Sequence, residues 1–201
     1  MKEKVVNRLM INISKKNNFD SIKLDEIKYG LYGIYTLVTK SIVIISLAII
    51  LGIFKEFIIF LLFYSLLRSV GFGCHARTNW QCWLMSTLLL IGIPFVFNKI
   101  NLNNNLQVIL WIIFFVNYAI FCPADTEKRP MINKRRKLKF KLVLLIISII
   151  YLYIIVYFKN LSNLVLGAML LECLLTNPLG YLLMGQKVRF KLNDIYLFKQ
   201  E

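Results

Sequence analysis

Residues 57–97 decide the fold: FIIFLLFYSLL (57–67) and WLMSTLLLIGIPFVF (83–97) are apolar, and between them lies the polar stretch RSVGFGCHARTNWQC (68–82). The eleven residues of the first run are too few to cross a hydrocarbon core of roughly 30 Å at about 1.5 Å per helical residue. That helix is therefore expected to continue into the polar stretch. The stretch holds the only histidine of the chain, His75, two of the four cysteines, Cys74 and Cys82, two arginines and two glycines. Groups able to do chemistry are concentrated there, and the remainder reads as scaffold.

Outward from this island the composition is that of a membrane protein. Of 201 residues, 58% are hydrophobic and 17% charged, with a mean hydropathy of +0.65, which is too apolar for an ordinary soluble domain. The net charge of +15 would suit nucleic acid if it lay on one basic domain. The basic residues instead sit between apolar runs, so anionic lipid is the expected counter-surface and nucleic acid is not an expected partner. Four cysteines in such a chain do not form a disulfide framework. The basic start Met1–Arg8 is followed by polar Asn17-Asn18-Phe19-Asp20 instead of a continuous apolar core, so it is expected to be retained.

The fold class expected is all-α: a polytopic membrane protein of about six transmembrane helices with an N-terminal amphipathic segment. Residues 1–29 form that cytoplasmic segment. Val5, Leu9 and Ile13 recur at i, i+4 and i+8 beside Val6 and Met10, among Lys2, Lys4, Arg8, Lys15 and Lys16. This pattern fits a helix on the membrane surface or one packed on the protein's own cytoplasmic face. Residues 30–185 form the transmembrane domain, with spans at 31–54, 57 into the island, 81–97, 106–122, 142–158 and 161 to about 185. Residues 186–201 form a basic tail. Lys40, inside the first span, either snorkels to the interface or marks function. A turn is expected at Lys55-Glu56, an exposed loop at 98–105, and a structured loop from Pro123 to Pro130 ahead of the basic cluster Lys134–Lys137. The last span contains Glu172 and Asn177-Pro178 and is expected to kink or break.

Charge sets the orientation. With the N-terminus inside, the outer connections carry Lys55, Lys99 and Lys159, and the inner segments carry 21 basic residues. Both termini, the island and the Asp125 loop then face the cytoplasm.

A histidine and a cysteine close together are the minimum for a thiol nucleophile, because the imidazole takes the thiol proton and the thiolate attacks a carbonyl. On one continuous helix the Cα atoms of His75 and Cys82 would lie roughly 10.5 Å apart along the axis, too far for a hydrogen bond. A direct dyad requires residues 76 to 81 to bend, or His75 to end one element and Cys82 to begin the next. Cys74 is a rival nucleophile, although neighbouring side chains diverge. No metal is expected: Cys74, His75 and Cys82 lack zinc-finger spacing and would need Cys122 or Asp125 as a fourth ligand. No cofactor is called for.

Arg68, Gly73, His75 and Cys82, in a polar break between apolar spans, resemble the motif of the accessory gene regulator protein B family, AgrB, the membrane peptidases of Gram-positive quorum sensing. Pro123-Ala124-Asp125, with Pro130 beyond, resembles that family's second signature, and the length and basic cytoplasmic loops agree. Phe72 and Cys74 depart from the family pattern. The resemblance implies a cysteine endopeptidase in the bacterial cell membrane acting on a short amphipathic propeptide. Cys82 would attack the bond at the start of the propeptide's C-terminal tail, with His75 as base and then acid. A substrate side chain would then capture the thioester and close a thiolactone or lactone ring.

Supporting roles fall to Arg68, for an acidic tail or a lipid head group, and to Gly73, for a bend or a close approach. Asp125 would orient His75 or pair with Arg129. The partners expected are the propeptide of a cyclic autoinducing peptide and membrane lipid, with a homodimer left open. The alternative from another class is a small transporter or peptide exporter without proteolysis, which Lys40, Glu172 and the Asn177-Pro178 break would suit.

Overall fold

The computed structural model describes residues 2–16, 19–74, 78–124 and 133–183. Among the described residues the order is α1 (Lys2–Lys16), α2 (Ser21–Ile50), α3 (Phe54–Gly71), α4 (Asn79–Lys99), α5 (Asn104–Phe121), α6 (Lys134–Tyr157), α7 (Lys159–Thr176) and α8 (Pro178–Leu183). The protein is an all-α membrane protein. Its contacts define two units, Met1–Ile50 and Leu51–Glu201.

In the first unit α1 packs on α2. Val6 is fully buried while Val5, Leu9 and Ile11 stay exposed, and Lys2 Nζ lies 5.0 Å from the centroid of the Tyr32 ring. The junction expected between residues 29 and 30 lies within α2. Thr36 and Thr39 hydroxyls donate to the Tyr32 and Tyr35 carbonyls at 2.8 Å, which satisfies them inside an apolar helix.

The second unit is built around α7, which packs against α3, α4, α5 and α6. Its sequence explains the placement. Leu164, Val165, Leu166, Gly167, Ala168, Met169 and Leu171 are all buried, so α7 is apolar or small on every side, as a central helix must be. Its neighbours turn one face outward instead: Leu84 and Leu88 on α4, Ile109 and Val116 on α5, Ile146 and Ile150 on α6 are exposed. Lipid is the surrounding that such faces suit. Four helices among the described residues, α2, α4, α5 and α6, are long and apolar enough to cross a membrane.

Helices in lipid associate by close packing and interhelical hydrogen bonds, because lipid tails are as apolar as leucine. Both devices are present. A Cβ on Gly167 would lie 3.0 Å from Ile93 Cγ2 and 3.2 Å from Phe97 Cγ, so the missing side chain admits α4 against α7. Tyr118 Oη donates to the Met169 carbonyl at 2.6 Å, Tyr151 Oη to the Phe63 carbonyl at 2.7 Å, and Trp111 Nε1 to the Ser148 carbonyl at 2.8 Å. Each such bond contributes about 0.6 kcal/mol in a membrane protein.

Three helix ends differ from the sequence expectation. The first turn falls at Leu51–Ile53, ahead of Lys55-Glu56, because Gly52 takes φ +68° and ends α2 while Lys55 and Glu56 fit the first turn of α3. The helix α4 runs through Pro94 to Lys99. The helix α6 begins at Lys134, not Leu142: lysine and arginine are good helix formers, and Asn133 Oδ1 caps the start by accepting from the Arg135 and Arg136 amides. The break expected at Asn177-Pro178 is present, since α7 ends at Thr176 and Asn177 Oδ1 accepts from the Leu179 amide at 2.9 Å to start α8.

Two backbone bonds tie one end of this unit. The Ala124 amide donates to the Gly71 carbonyl at 2.9 Å, and the Cys74 amide to the Leu175 carbonyl at 2.8 Å. The carboxyl ends of α3, α5 and α7 therefore meet, and α4 starts a few residues beyond Cys74. At the opposite end Gln107 Nε2 donates to Ser162 Oγ and Asn163 Oδ1, both at 2.9 Å.

Replacing Gly167 by valine is expected to wedge α4 from α7 at a cost of about 1–3 kcal/mol. Gly92 has no neighbour within 4 Å of a built Cβ, so Gly92→Ala is the control and should be neutral or slightly stabilising. Thermal unfolding of both variants in detergent checks this; equal melting temperatures would refute the packing role of Gly167.

Candidate functional site

The site lies where α3, α5 and α7 end together. Arg68 occupies the last turn of α3, and its guanidinium reaches back over the segment that follows. Nη1 donates to the Phe72 carbonyl, and Nη2 donates to the carbonyls of Gly73 at 3.4 Å and Cys74 at 3.1 Å. Across the bundle, Nη1 lies 3.7 Å from Oε2 of Glu172, whose side chain is fully buried. Neither Glu172 oxygen accepts a hydrogen bond among the described residues. A carboxyl group taken out of water needs a partner, and Arg68 is the partner here.

The sequence around Arg68 fits this arrangement. A Cβ on Gly71 would collide with Glu172 Oε1 and lie 3.2 Å from its Cδ, so only glycine lets α3 approach the carboxyl. Gly73 takes φ +108°. A side chain there would meet Arg68 Nη1 and lie 2.9 Å from the Leu175 carbonyl, so the position needs glycine for both conformation and room. Phe72 takes φ +60° with ψ −118°, a sparsely populated conformation that costs a non-glycine residue on the order of 1–3 kcal/mol. Its ring stands edge-on to Phe140 on α6, centroids 5.2 Å apart, which offsets part of that cost.

The two cysteines of the island sit in different surroundings. Cys74 is 2% exposed, with its amide on the Leu175 carbonyl and its own carbonyl on Arg68. Burial pushes its thiol up from 9.0 to about 11, against the opposing pull of Arg68. Burial, and after it the Glu172 charge, push the Cys122 thiol up as well. Cys82 is partly exposed on the first turn of α4. That turn is fixed by a capping box in which Thr78 Oγ1 accepts from the Gln81 amide at 3.3 Å and Gln81 Oε1 accepts from the Thr78 amide at 3.4 Å. The Cys82 side chain points back toward the amino end of its helix, where the positive ends of the peptide dipoles gather.

Of the residues singled out from the sequence, Arg68 and Gly73 come together, and Cys82 starts the next helix. His75 and Asp125 lie outside the described residues. Glu172 and Gly71 were not singled out for this site; Glu172 was read only toward a translocation path. The available signal was an isolated acid in an apolar span and an arginine ending another, since ionisable groups inside such bundles pair with one another. The described residues contain no group of three or more histidine, cysteine, aspartate or glutamate side chains able to hold a metal ion.

Fold and site together define an all-α membrane protein with a polar, cysteine-bearing centre at one end of its bundle. The chain belongs to the accessory gene regulator B family, whose model matches residues 3–176. It is 30% identical over 166 residues to an AgrB-like protein of Listeria innocua, covering 82% of this chain and 81% of that one. It is 29% identical over 151 residues to accessory gene regulator protein B of Staphylococcus carnosus, covering 75% and 78%, and 29% identical over 145 residues to that of Staphylococcus aureus, covering 71% and 78%. No solved structure matches the chain.

The contrast between the thiols sets an expectation for labelling. At pH 7 a thiol near 11 is ionised in on the order of one molecule in ten thousand. Iodoacetamide at pH 8, followed by peptide mapping, should modify Cys82 well before Cys74 and Cys122. Cys74 labelling should climb only between pH 9 and 11. The folded state holds the Cys74 proton more tightly than the unfolded chain, so this contribution to stability is fully present below pH 9 and is lost as pH rises through about 11. Labelling of Cys74 ahead of Cys82 would refute the assignment.

Proposed function

We propose that this protein is a membrane-embedded cysteine endopeptidase that matures a quorum-sensing propeptide into a cyclic signal. Family membership supports a role in accessory gene regulation. The observation that carries the finer reading is the position of Cys82, partly exposed at the amino end of α4 and seven residues after the only histidine. The helix α4 begins at Asn79 with the extended Thr78 as N-cap, so Cys82 falls near the start of an element, which supports the reading.

In this reading His75 takes the Cys82 proton and the thiolate attacks the carbonyl carbon at the start of the precursor's C-terminal tail. Collapse of the tetrahedral adduct breaks the peptide bond. The imidazolium gives its proton to the departing amine, and the precursor's acyl group is left on sulfur as a thioester. A thiol or hydroxyl of the precursor then attacks that thioester, closes the thiolactone or lactone ring and returns the thiol to Cys82. No metal or cofactor enters these steps. Asp125 would orient His75. The active site and both termini are assigned to the cytoplasmic side, where the basic segments meet anionic lipid, and a homodimer is the assembly to be tested.

The exporter alternative drew on Lys40 as well as on Glu172 and the Asn177-Pro178 break. Glu172 is engaged by Arg68 and Asn177 caps α8, so each has a local function that needs no translocated substrate.

Co-expression of the precursor encoded beside the gene with wild type, Cys82→Ala, His75→Ala and Cys74→Ala, at matched membrane abundance, tests the reading. Cleavage is expected to fall at least about a thousandfold with Cys82→Ala and His75→Ala and to persist with Cys74→Ala. Full cleavage by Cys82→Ala would overturn it, and would move the nucleophile to Cys74 or the protein to the exporter reading.

A further inference from the structure

The proposed peptidase reading needs His75 held at a fixed place relative to Cys82, and the segment carrying His75 is short. Its described flanks are both anchored. On the far side, Thr78 is locked into the α4 capping box. On the near side, Phe72, Gly73 and Cys74 turn their carbonyls onto one guanidinium, and the Cys74 amide is bonded to the Leu175 carbonyl. The next residue in sequence is His75.

The guanidinium itself must be aimed. Arginine has a long flexible stem, and its fork serves three carbonyls only in one orientation. Glu172 supplies that orientation from the central helix. Its carboxyl is fully buried and 3.7 Å from Nη1, with Gly71 vacating the volume beside it. Three residues further along α7, the Leu175 carbonyl receives the Cys74 amide. One turn of α7 thus holds the loop twice, directly through its backbone and indirectly through Arg68.

We propose that Glu172 is a positioning residue for the peptidase, acting through Arg68 to fix the Phe72–Cys74 backbone from which His75 departs. This rests on the Cys82/His75 reading for its functional consequence, but the clamp is a structural claim with its own readout. Cys74 is 2% exposed only while the loop is clamped, so its alkylation rate reports release.

The experiment compares full-length wild type, Glu172→Gln, Glu172→Asp and Arg68→Lys in nanodiscs. Three quantities are measured: the rate of Cys74 alkylation at pH 8, the fraction of protein with titratable Cys82, and kcat and KM for the synthetic precursor peptide encoded beside the gene. Glu172→Gln keeps the side-chain volume and should speed Cys74 alkylation at least about tenfold. It should also lower kcat per titrated Cys82 by about ten- to a hundredfold, with KM within about twofold, as misplacement of a catalytic group by about 1 Å does. Glu172→Asp keeps the acid and should recover part of both effects. Arg68→Lys keeps the charge but not the fork and should resemble Glu172→Gln.

Unchanged Cys74 alkylation in both Glu172→Gln and Arg68→Lys would overturn the clamp, and faster alkylation with kcat intact would overturn the positioning role. A loss of kcat that only tracks the titrated Cys82 fraction would also overturn it, by making Glu172 merely structural. If wild type and Cys82→Ala cleave the precursor equally, the peptidase reading fails, and the alkylation measurement alone decides the clamp.

Discussion

The buried contact between Arg68 and Glu172 is the constraint on which the polar end of this protein depends. A carboxyl group with no exposure, placed among apolar helices, is costly unless an opposite charge and donors answer it. Meeting that requirement dictates much of the local sequence. Glycine stands at position 71 because the carboxyl occupies the space of a side chain. The guanidinium, once aimed, has donors left over for three successive carbonyls. Gly73 is then needed because those carbonyls converge only if the backbone takes a positive φ. The loop between α3 and α4 is shaped by α7, a helix that begins 81 residues after the loop ends.

The same central helix separates the two jobs of the bundle. Its small and apolar faces bring α3, α4, α5 and α6 together, while those neighbours leave their outward faces to lipid. Near its carboxyl end it also accepts, through the Leu175 carbonyl, a hydrogen bond from the loop's Cys74 amide. The consequence for the cysteines is a division of character within nine residues. Cys74 is enclosed by the clamp and kept protonated by burial. Cys82 stands beyond it, partly exposed at the start of a well-capped helix.

Much of this was legible in the sequence because it rests on local pattern. Extended apolar runs became helices, and a proline after asparagine in the last span became a break, where each was expected. The turn between α2 and α3 was misplaced because charged Lys55-Glu56 outweighed a single glycine in the reading, whereas Gly52 supplies the backbone conformation that ends a helix. The start of α6 was missed because a run of four basic residues reads as loop, although asparagine capping and long aliphatic stems suit it to a helix at an interface. The clamp was out of reach for a different reason. Arg68 and Glu172 are 104 positions apart, and no periodicity links them. Only the packing of α3 on α7 does, and that depends on which helix is central. Arg68 was accordingly read toward substrate or lipid, where the structure turns it inward.

Cys82 is the proposed nucleophile, and trapping its acyl intermediate tests that role most directly. A precursor whose ring-closing side chain is replaced by alanine cannot take the acyl group back, so the thioester should persist. Mass spectrometry of protein incubated with this precursor should find the precursor's amino-terminal portion on the Cys82 peptide, removable by hydroxylamine and absent from Cys82→Ala. An adduct on Cys74, or cleavage of the precursor with no adduct on any cysteine, would contradict it.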